Sequence, residues 1–137
     1  MRLSKRSEYG IRALINLASR EAPGIAKINE IASQEKIPAK FLEQILLTLK
    51  NAGILQSRPG RGGGYHLGQP AENVTIGKII RILDGPIAPI SCVSETAYEP
   101  CGCPDEETCG LRLLMLDVRE AMVGILDHTT LADIARK

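Results

Sequence analysis

Four cysteines fall within eighteen residues, Cys92, Cys101, Cys103 and Cys109, and the chain has no other. Structural cysteines usually scatter through a core as small apolar side chains. These share a stretch with Pro100, Gly102 and Pro104, flanked by Glu95, Glu99, Asp105, Glu106 and Glu107. Such a stretch is too polar for a core. Grouped thiols in a polar loop suit metal binding, an iron–sulfur cluster or reversible thiol oxidation. For zinc, Cys101-x-Cys103 is not the usual spacing, although four thiolates could satisfy the ion. No Cys-x-x-Cys pair and no Ser/His/Asp set accompanies them, so the chain offers no nucleophile–base constellation and is not expected to be an enzyme.

The elements that must position this loop follow from composition and pattern. At 137 residues the chain is one domain, or one small domain with an extension. One Phe, three Tyr and no Trp leave the core to Leu, Ile, Val and Ala. The start MRLSKRSEYG lacks the apolar region of an export signal, and no apolar run would span a membrane. A cytoplasmic location is expected, where thiols stay reduced and disulfides are disfavoured. Residues 1–68 carry eleven Lys/Arg against five Asp/Glu, and residues 69–137 carry six against eleven. A basic half joined to an acidic half fits a nucleic-acid-binding portion attached to a different working portion. An uneven solvated surface would give the same balance.

The spacing predicts a helix over 4–20, capped by Ser4 or Ser7, with Ile11, Leu14, Leu17 and Ala18 on one face. Arg2, Lys5 and Arg6 stand at or before its start, within reach of a phosphate backbone. A second helix is expected from about Lys27 to Gln34. A turn through Lys36 and Ile37 follows, and Pro38 opens a third helix. There Leu42, Ile45, Leu46 and Leu49 should face the core, with Lys40, Glu43, Gln44, Leu47 and Lys50 mostly outside. Gly53 is a natural stop. Ile54–Ser57 reads as a strand and Tyr65–Leu67 as its return, around the loop RPGRGGG. Glycine lets backbone approach a groove, and arginine favours the narrow minor groove. A phosphate-cradling loop is the weaker alternative, since no GxxxxGKS/T motif or following helix is present. A plain flexible hairpin is the stronger alternative.

Thr75 should cap a fourth helix through Leu83, ended by Asp84-Gly85-Pro86. After the cysteine loop, a long helix is expected from Leu111 to about Leu126. Leu111, Leu114, Met115, Val118, Met122 and Ile125 form one apolar stripe, and Leu113, Leu116, Val123 and Leu126 a second. That arc is too wide for one-sided burial, so one face should meet a second copy of the chain; a fully buried core helix is the alternative. A short helix over Thr130–Ile134 closes the chain. The fold class is mainly α with a small β-hairpin wing: a winged helix-turn-helix over 1–84, a cysteine-rich sensor loop over 85–110, and a dimerisation helix with tail over 111–137.

These residues resemble the Rrf-type winged-helix transcriptional regulators, the IscR/NsrR/RirA-like family. The resemblance covers nearly the whole chain and rests on MRLSKRSEYGIRAL, IPAKFLEQILLTLKNAGILQSRPGRGGGYHLG, VTIGKIIRILDGPI and the cysteine loop. It implies a homodimer on double-stranded DNA with a pseudo-palindromic operator. By the same resemblance, Lys40, Phe41, Glu43 and Gln44 would contact the major groove, and Arg58, Arg61, Gly62 and Gly63 the minor groove. Gln44 suits an adenine edge and Glu43 a cytosine amine, although both could be ordinary exposed helix residues. Arg2, Lys5, Lys50 and Tyr9 would touch phosphate or pack nearby.

The cluster-binding members imply a 2Fe-2S or 4Fe-4S cluster here. Cys103 and Cys109 match the family's last pair and Cys92 its first cysteine, with Cys101 an addition; Cys92, Cys101 and Cys109 could equally be the trio. Arg112 stands where some members place a histidine. Cys101, or Glu8 of the partner subunit, is then the candidate fourth ligand. Glu8 could instead be a first-turn acid favoured by the helix dipole. CymR-like members lack the cysteine set, so the loop argues against that branch. A metal-free thiol-redox regulator, a zinc-containing regulator, and a thiol- or cluster-handling protein that uses its winged helix for protein contacts remain the alternatives.

Overall fold

The computed structural model describes residues 2–100 and 102–135. Its elements run α1 (Lys5–Ala18), α2 (Ile28–Glu35), α3 (Ala39–Asn51), β1 (Leu55–Arg58), β2 (Gly64–Leu67), α4 (Ile76–Asp84), α5 (Gly110–Leu126) and α6 (Leu131–Ala135), with short 3-10 turns at Ala71–Asn73 and Ser91–Val93. Every expected helix is present, with ends moved by one or two residues. Ser4 rather than Ser7 caps α1: its Oγ accepts the Ser7 N–H at 3.1 Å, while Ser7 is fully buried inside the helix. Pro38 stands at the cap of α3, one residue before the helix proper. β1 starts one residue later than expected because Ile54 is only half in the ladder: its carbonyl accepts Gly68 N–H, but its N–H turns back to Leu49 O.

Leu14, Leu42, Ile45, Leu46, Leu49, Ile54, Val74, Ile79 and Leu131 form a core with no exposure to solvent. Burying each such side chain is worth roughly 1.5–3 kcal/mol. The predicted inner face of α3 supplies four of them, while Lys40, Glu43, Gln44, Leu47 and Lys50 are exposed. α1 is cross-linked to its neighbours by polar groups. Arg6 Nη2 donates to Thr48 Oγ1 on α3 at 2.9 Å, so this arginine serves the fold. Asn16 and Arg20 reach Gln34, Glu35 and Glu30 of α2 at 2.8–3.0 Å, and Arg12 donates to the Glu35 carbonyl.

The C-terminal segment folds back onto this body. Ile76 N–H donates to Thr129 O at 2.9 Å and Leu131 N–H to Val74 O at 2.8 Å, which carries Leu131 into the core. Arg81 of α4 clamps Asp127 at the end of α5 through two bonds, Nη1–Oδ1 at 2.6 Å and Nη2–Oδ2 at 3.0 Å. Gly77 makes room for that clamp, since a Cβ there would overlap Asp127 Oδ1 and come 3.1 Å from Arg81 Nη1.

α5 is not buried along its length as a monomer core helix would be: none of its residues is fully buried. Its two apolar stripes do not divide between an inner and an outer face. They divide along the axis. Leu111, Leu113 and Leu114 at its start are 47–59% exposed, while Leu116, Met122, Val123 and Leu126 are half-buried. The cause is where α5 finds support, against the Ser91–Val93 turn and α4. Ile125 is a further exception at 67% exposure. Among the described residues no helix is long and apolar enough to cross a membrane.

The clamp sets a pH dependence. The hydrogen bond from Arg81 holds the Asp127 carboxyl below its ordinary 3.8. A carboxyl depressed in the folded state adds stability above its unfolded pKa, and that increment is lost as pH falls through the lower folded value. Asp127→Asn is therefore expected to lower stability at pH 7 by up to about 1 kcal/mol. The gap from wild type should close below about pH 4. Urea unfolding at pH 7 and in acid checks both.

Candidate nucleic-acid interface and cysteine loop

β1 and β2 pair antiparallel, Leu55 opposite Leu67 and Arg58 opposite Gly64, so the hairpin tip projects Arg61 and Gly62 into solvent. The hairpin is fixed to the helix-turn-helix by a bridge before α2. Tyr65 N–H donates to Ala26 O at 2.8 Å and Ala26 N–H to Tyr65 O at 3.0 Å. Gly64 permits this approach, with φ +144° and a Cα so placed that a Cβ would overlap the Ala26 carbonyl. Sequence reasoning assigned the glycines to close contact with DNA. Gly64 instead brings two parts of the protein together, and Gly63 is buried inside its own hairpin.

Between wing and helices lies a groove of ≈ 630 Å³. It gathers Lys40, Glu43, Arg58 and Gly63 of the predicted set, together with Lys27, Asn29 and Ser57. Lys27 could have been found from its place at the cap of the second helix, while Lys40 stands in the first turn of the third. Neither α2 nor α3 has a side-chain cap at its start. Such open N-termini present N–H donors and positive dipole ends that suit phosphate. Three cations against one carboxylate give the groove a positive balance.

Phe41 and Gln44 are exposed on α3 outside this groove. Phe41 packs edge-on against Tyr9, ring centroids 5.6 Å apart, and Arg12 and Lys5 lie over the Tyr9 ring at 5.6 and 5.8 Å. Lys5 also pairs with Glu8 at 3.4 Å. Arg2 lines a separate cavity of ≈ 500 Å³ with Asp84, Ile80 and Met122, away from the groove.

In the cysteine loop, Cys92 is buried on the Ser91–Val93 turn, Cys103 is exposed and Cys109 is half-buried at the start of α5. Cys101 lies outside the described residues. Among the described residues no three His, Cys, Asp or Glu side chains are grouped closely enough to hold a metal ion. Thiolates are the right donor type for a cluster or for zinc, but one chain does not bring Cys92, Cys103 and Cys109 together. Glu8 stands in the first turn of α1.

A family model described as Rrf2, iron-dependent transcriptional regulator, matches residues 3–137. The chain belongs to the Rrf2 family. It is 39% identical over 136 residues to an rrf2-like HTH-type protein of Rhodobacter capsulatus, covering 96% of this chain and 91% of that one. It is 34% identical to the transcriptional regulator CymR of Bacillus subtilis, covering 98% and 90%. With IscR of Klebsiella pneumoniae the identity is 28%, covering 98% and 79%. Solved structures agree. CymR, the global cysteine regulator of B. subtilis, superposes with a TM-score of 0.83 at 33% identity over 99% of this chain and 97% of that one. Oxidised Staphylococcus aureus CymR gives 0.79 at 32%, over 100% and 98%. IscR of T. potens gives 0.79 at 26%, over 99% and 87%.

This Rrf2-family chain is thus a DNA-binding transcriptional regulator rather than an enzyme, with a winged helix at its core. Its backbone superposes on both CymR and IscR, with TM-scores of 0.83 and 0.79, so the overall fold does not choose between them.

Two wing variants should separate reading from positioning. Arg61→Ala removes one exposed cation, and the slope of log K against log salt on a duplex selected by the protein should fall by about 1. Gly64→Ala should weaken binding about tenfold or more and lower that slope by more than Arg61→Ala does, because a wing parted from Ala26 takes Arg58 and Arg61 away together. Fluorescence anisotropy across a salt series measures both.

Proposed function

We propose that this protein is a homodimeric regulator that binds a pseudo-palindromic operator and responds to iron supply, oxidants or nitric oxide through an iron–sulfur cluster on the cysteine loop. The single observation that carries this reading is the loop itself: four cysteines in eighteen residues, running into the long helix of an iron-dependent regulator family. Cys92, Cys103 and Cys109 are the proposed thiolate ligands, with Cys101 or Glu8 of the partner subunit as the fourth. A cluster, when bound, supplies electron-transfer and ligand-exchange chemistry that oxidants or nitric oxide can attack. The chain's own part is to hold the thiolates and to join them to the DNA-binding half. The proposed DNA contacts are Lys40, Glu43, Gln44 and Phe41 on α3, Arg58, Arg61 and Gly62 on the wing, and Arg2 and Lys5 at the phosphates. Gly63 supports the wing from within.

Dimerisation through α5 is supported by the leucines it leaves exposed at Leu111, Leu113 and Leu114. Contiguous apolar surface of this kind marks an interface.

One observation favours a second reading, reversible thiol oxidation without metal. The described cysteines are spread between a buried turn, an exposed loop and a helix start, and the fold superposes on an oxidised CymR. The experiment that divides the two is purification without oxygen, with iron and sulfide assayed and duplex binding measured before and after oxidant. The cluster reading expects a coloured protein containing iron and sulfide, whose DNA affinity changes about tenfold on bleaching; Cys109→Ser should abolish both colour and response. A colourless protein after anaerobic reconstitution, still oxidant-sensitive on DNA, would establish the thiol reading instead.

A further inference from the structure

α5 is gripped near its middle by one side chain. Arg119 is only 13% exposed. Its Nη1–H donates to Val93 O at 2.6 Å, and its Nη2 lies 3.5 Å from Glu95 Oε1. Nη2 also pairs with Glu120, the next residue along the helix. Its Nε–H is buried and meets no acceptor among the described residues.

The backbone it holds is the turn that carries Cys92. The turn is buried after its first residue, with Cys92 at 4%, Val93 at 2% and Ser94 at 9% exposure, while Ser91 is exposed. It is closed by Ser94 N–H to Ser91 O at 3.1 Å and Val93 N–H to Ile90 O at 3.3 Å. The Ser91 carbonyl also accepts Glu99 N–H at 3.3 Å, so the first part of the cysteine loop hangs from the same turn.

A mostly buried guanidinium with one unsatisfied donor is a costly way to fasten a helix, and an apolar contact would do so more cheaply. What the guanidinium adds is direction and charge. Its planar fork fixes the carbonyl after Cys92 and a loop carboxylate at once, which a single-point contact cannot do. It also places a positive group on the peptide carbonyl of Val93, the residue after Cys92.

We propose that Arg119 is a positioning residue of the sensor: it joins the Cys92 turn and α5 into one body, so that a change at the cysteines reaches the winged helix as a change in the pose of α5. This rests on the reading that the cysteines sense. The far end of α5 is clamped to α4 by Asp127 and Arg81, and α4 packs on both α1 and α3. Cys92 turn, Arg119, α5, Asp127, Arg81 and α4 therefore form a continuous contact path to the helix that reads DNA.

The test uses the full-length protein with Arg119→Gln, Arg119→Lys and, as control, Glu120→Gln. In reduced, metal-free protein, hydrogen exchange at the 91–95 amides should quicken about tenfold or more in Arg119→Gln, recover largely in Arg119→Lys, and stay unchanged in Glu120→Gln. Binding of the anaerobically reconstituted protein to one selected duplex is then measured before and after hydrogen peroxide treatment. Arg119→Gln should bind within about threefold of wild type when reduced, but its ratio between the two states should fall toward one. Lysine should restore part of that ratio. Unchanged exchange at 91–95 in Arg119→Gln overturns the positioning role alone. A loosened turn with an undiminished ratio overturns the coupling. If Arg119→Gln does not fold, Arg119→Met carries both readouts with the same expected directions, since it keeps an apolar stem and loses every polar contact. If wild type binds identically in both states, the sensing reading fails and the coupling with it, while the exchange data still decide whether Arg119 holds the turn.

Discussion

The structure depends on one unmet constraint: α5 is apolar over too wide an arc for its own chain to cover. Seventeen residues of helix leave none fully buried, and the first turns hold three leucines about half in solvent. An amphipathic helix of a monomer hides its apolar stripe along its whole length. Here the half that touches the domain is partly covered and the other half is offered outward. A second α5 is the covering that the arc calls for. The cysteine loop enters α5 at the exposed end, with Cys109 at the cap. A dimer through α5 would therefore set the loop beside the interface rather than at a remote surface.

Polar contacts act beside the partial burial of Met122, Val123 and Leu126 to fix where α5 points. The Arg81–Asp127 clamp holds its end, and Arg119 holds its middle to the Val93 carbonyl. Directional contacts of this kind have defined alternative arrangements, whereas a packed core resists small displacement. The DNA-binding half shows the opposite design. Its α1, α2 and α3 share a closed apolar core and a network of side-chain bonds, and the wing is tied to the chain before α2 by two backbone bonds. A rigid reader joined to a helix held at a few polar points is an arrangement that a change in a small loop could shift.

Much of this was legible in the sequence because it is written in local pattern. Leu42, Ile45, Leu46 and Leu49 announce the inner face of α3 by spacing alone, and Thr75 announces its cap by residue type, whereas type alone leaves α1 a choice between Ser4 and Ser7. The glycine-rich hairpin was legible as a wing, and the FLEQILLTLKNAGIL and GRGGGYHL stretches pointed to the family that the match over 3–137 shows. What escaped was non-local. Arg119 meets Val93 across 26 positions and Arg81 meets Asp127 across 46, and no periodicity marks such pairs. Gly64 read as freedom near DNA, but its need comes from Ala26, which sits far back in the chain. The two stripes of α5 were counted correctly, yet their division along the axis depends on where other elements stop. The cysteines were legible as a group in sequence; their spread in space was not.

The mass of the intact protein in solution tests the central claim most directly, since the exposed α5 leucines either find a second copy or do not. Sedimentation equilibrium at micromolar concentration should give twice 14.8 kDa, with no monomer visible until far greater dilution. A stable 14.8 kDa species across that range would leave those leucines in water, and would contradict both the dimer and the placement of the cysteine loop beside its interface.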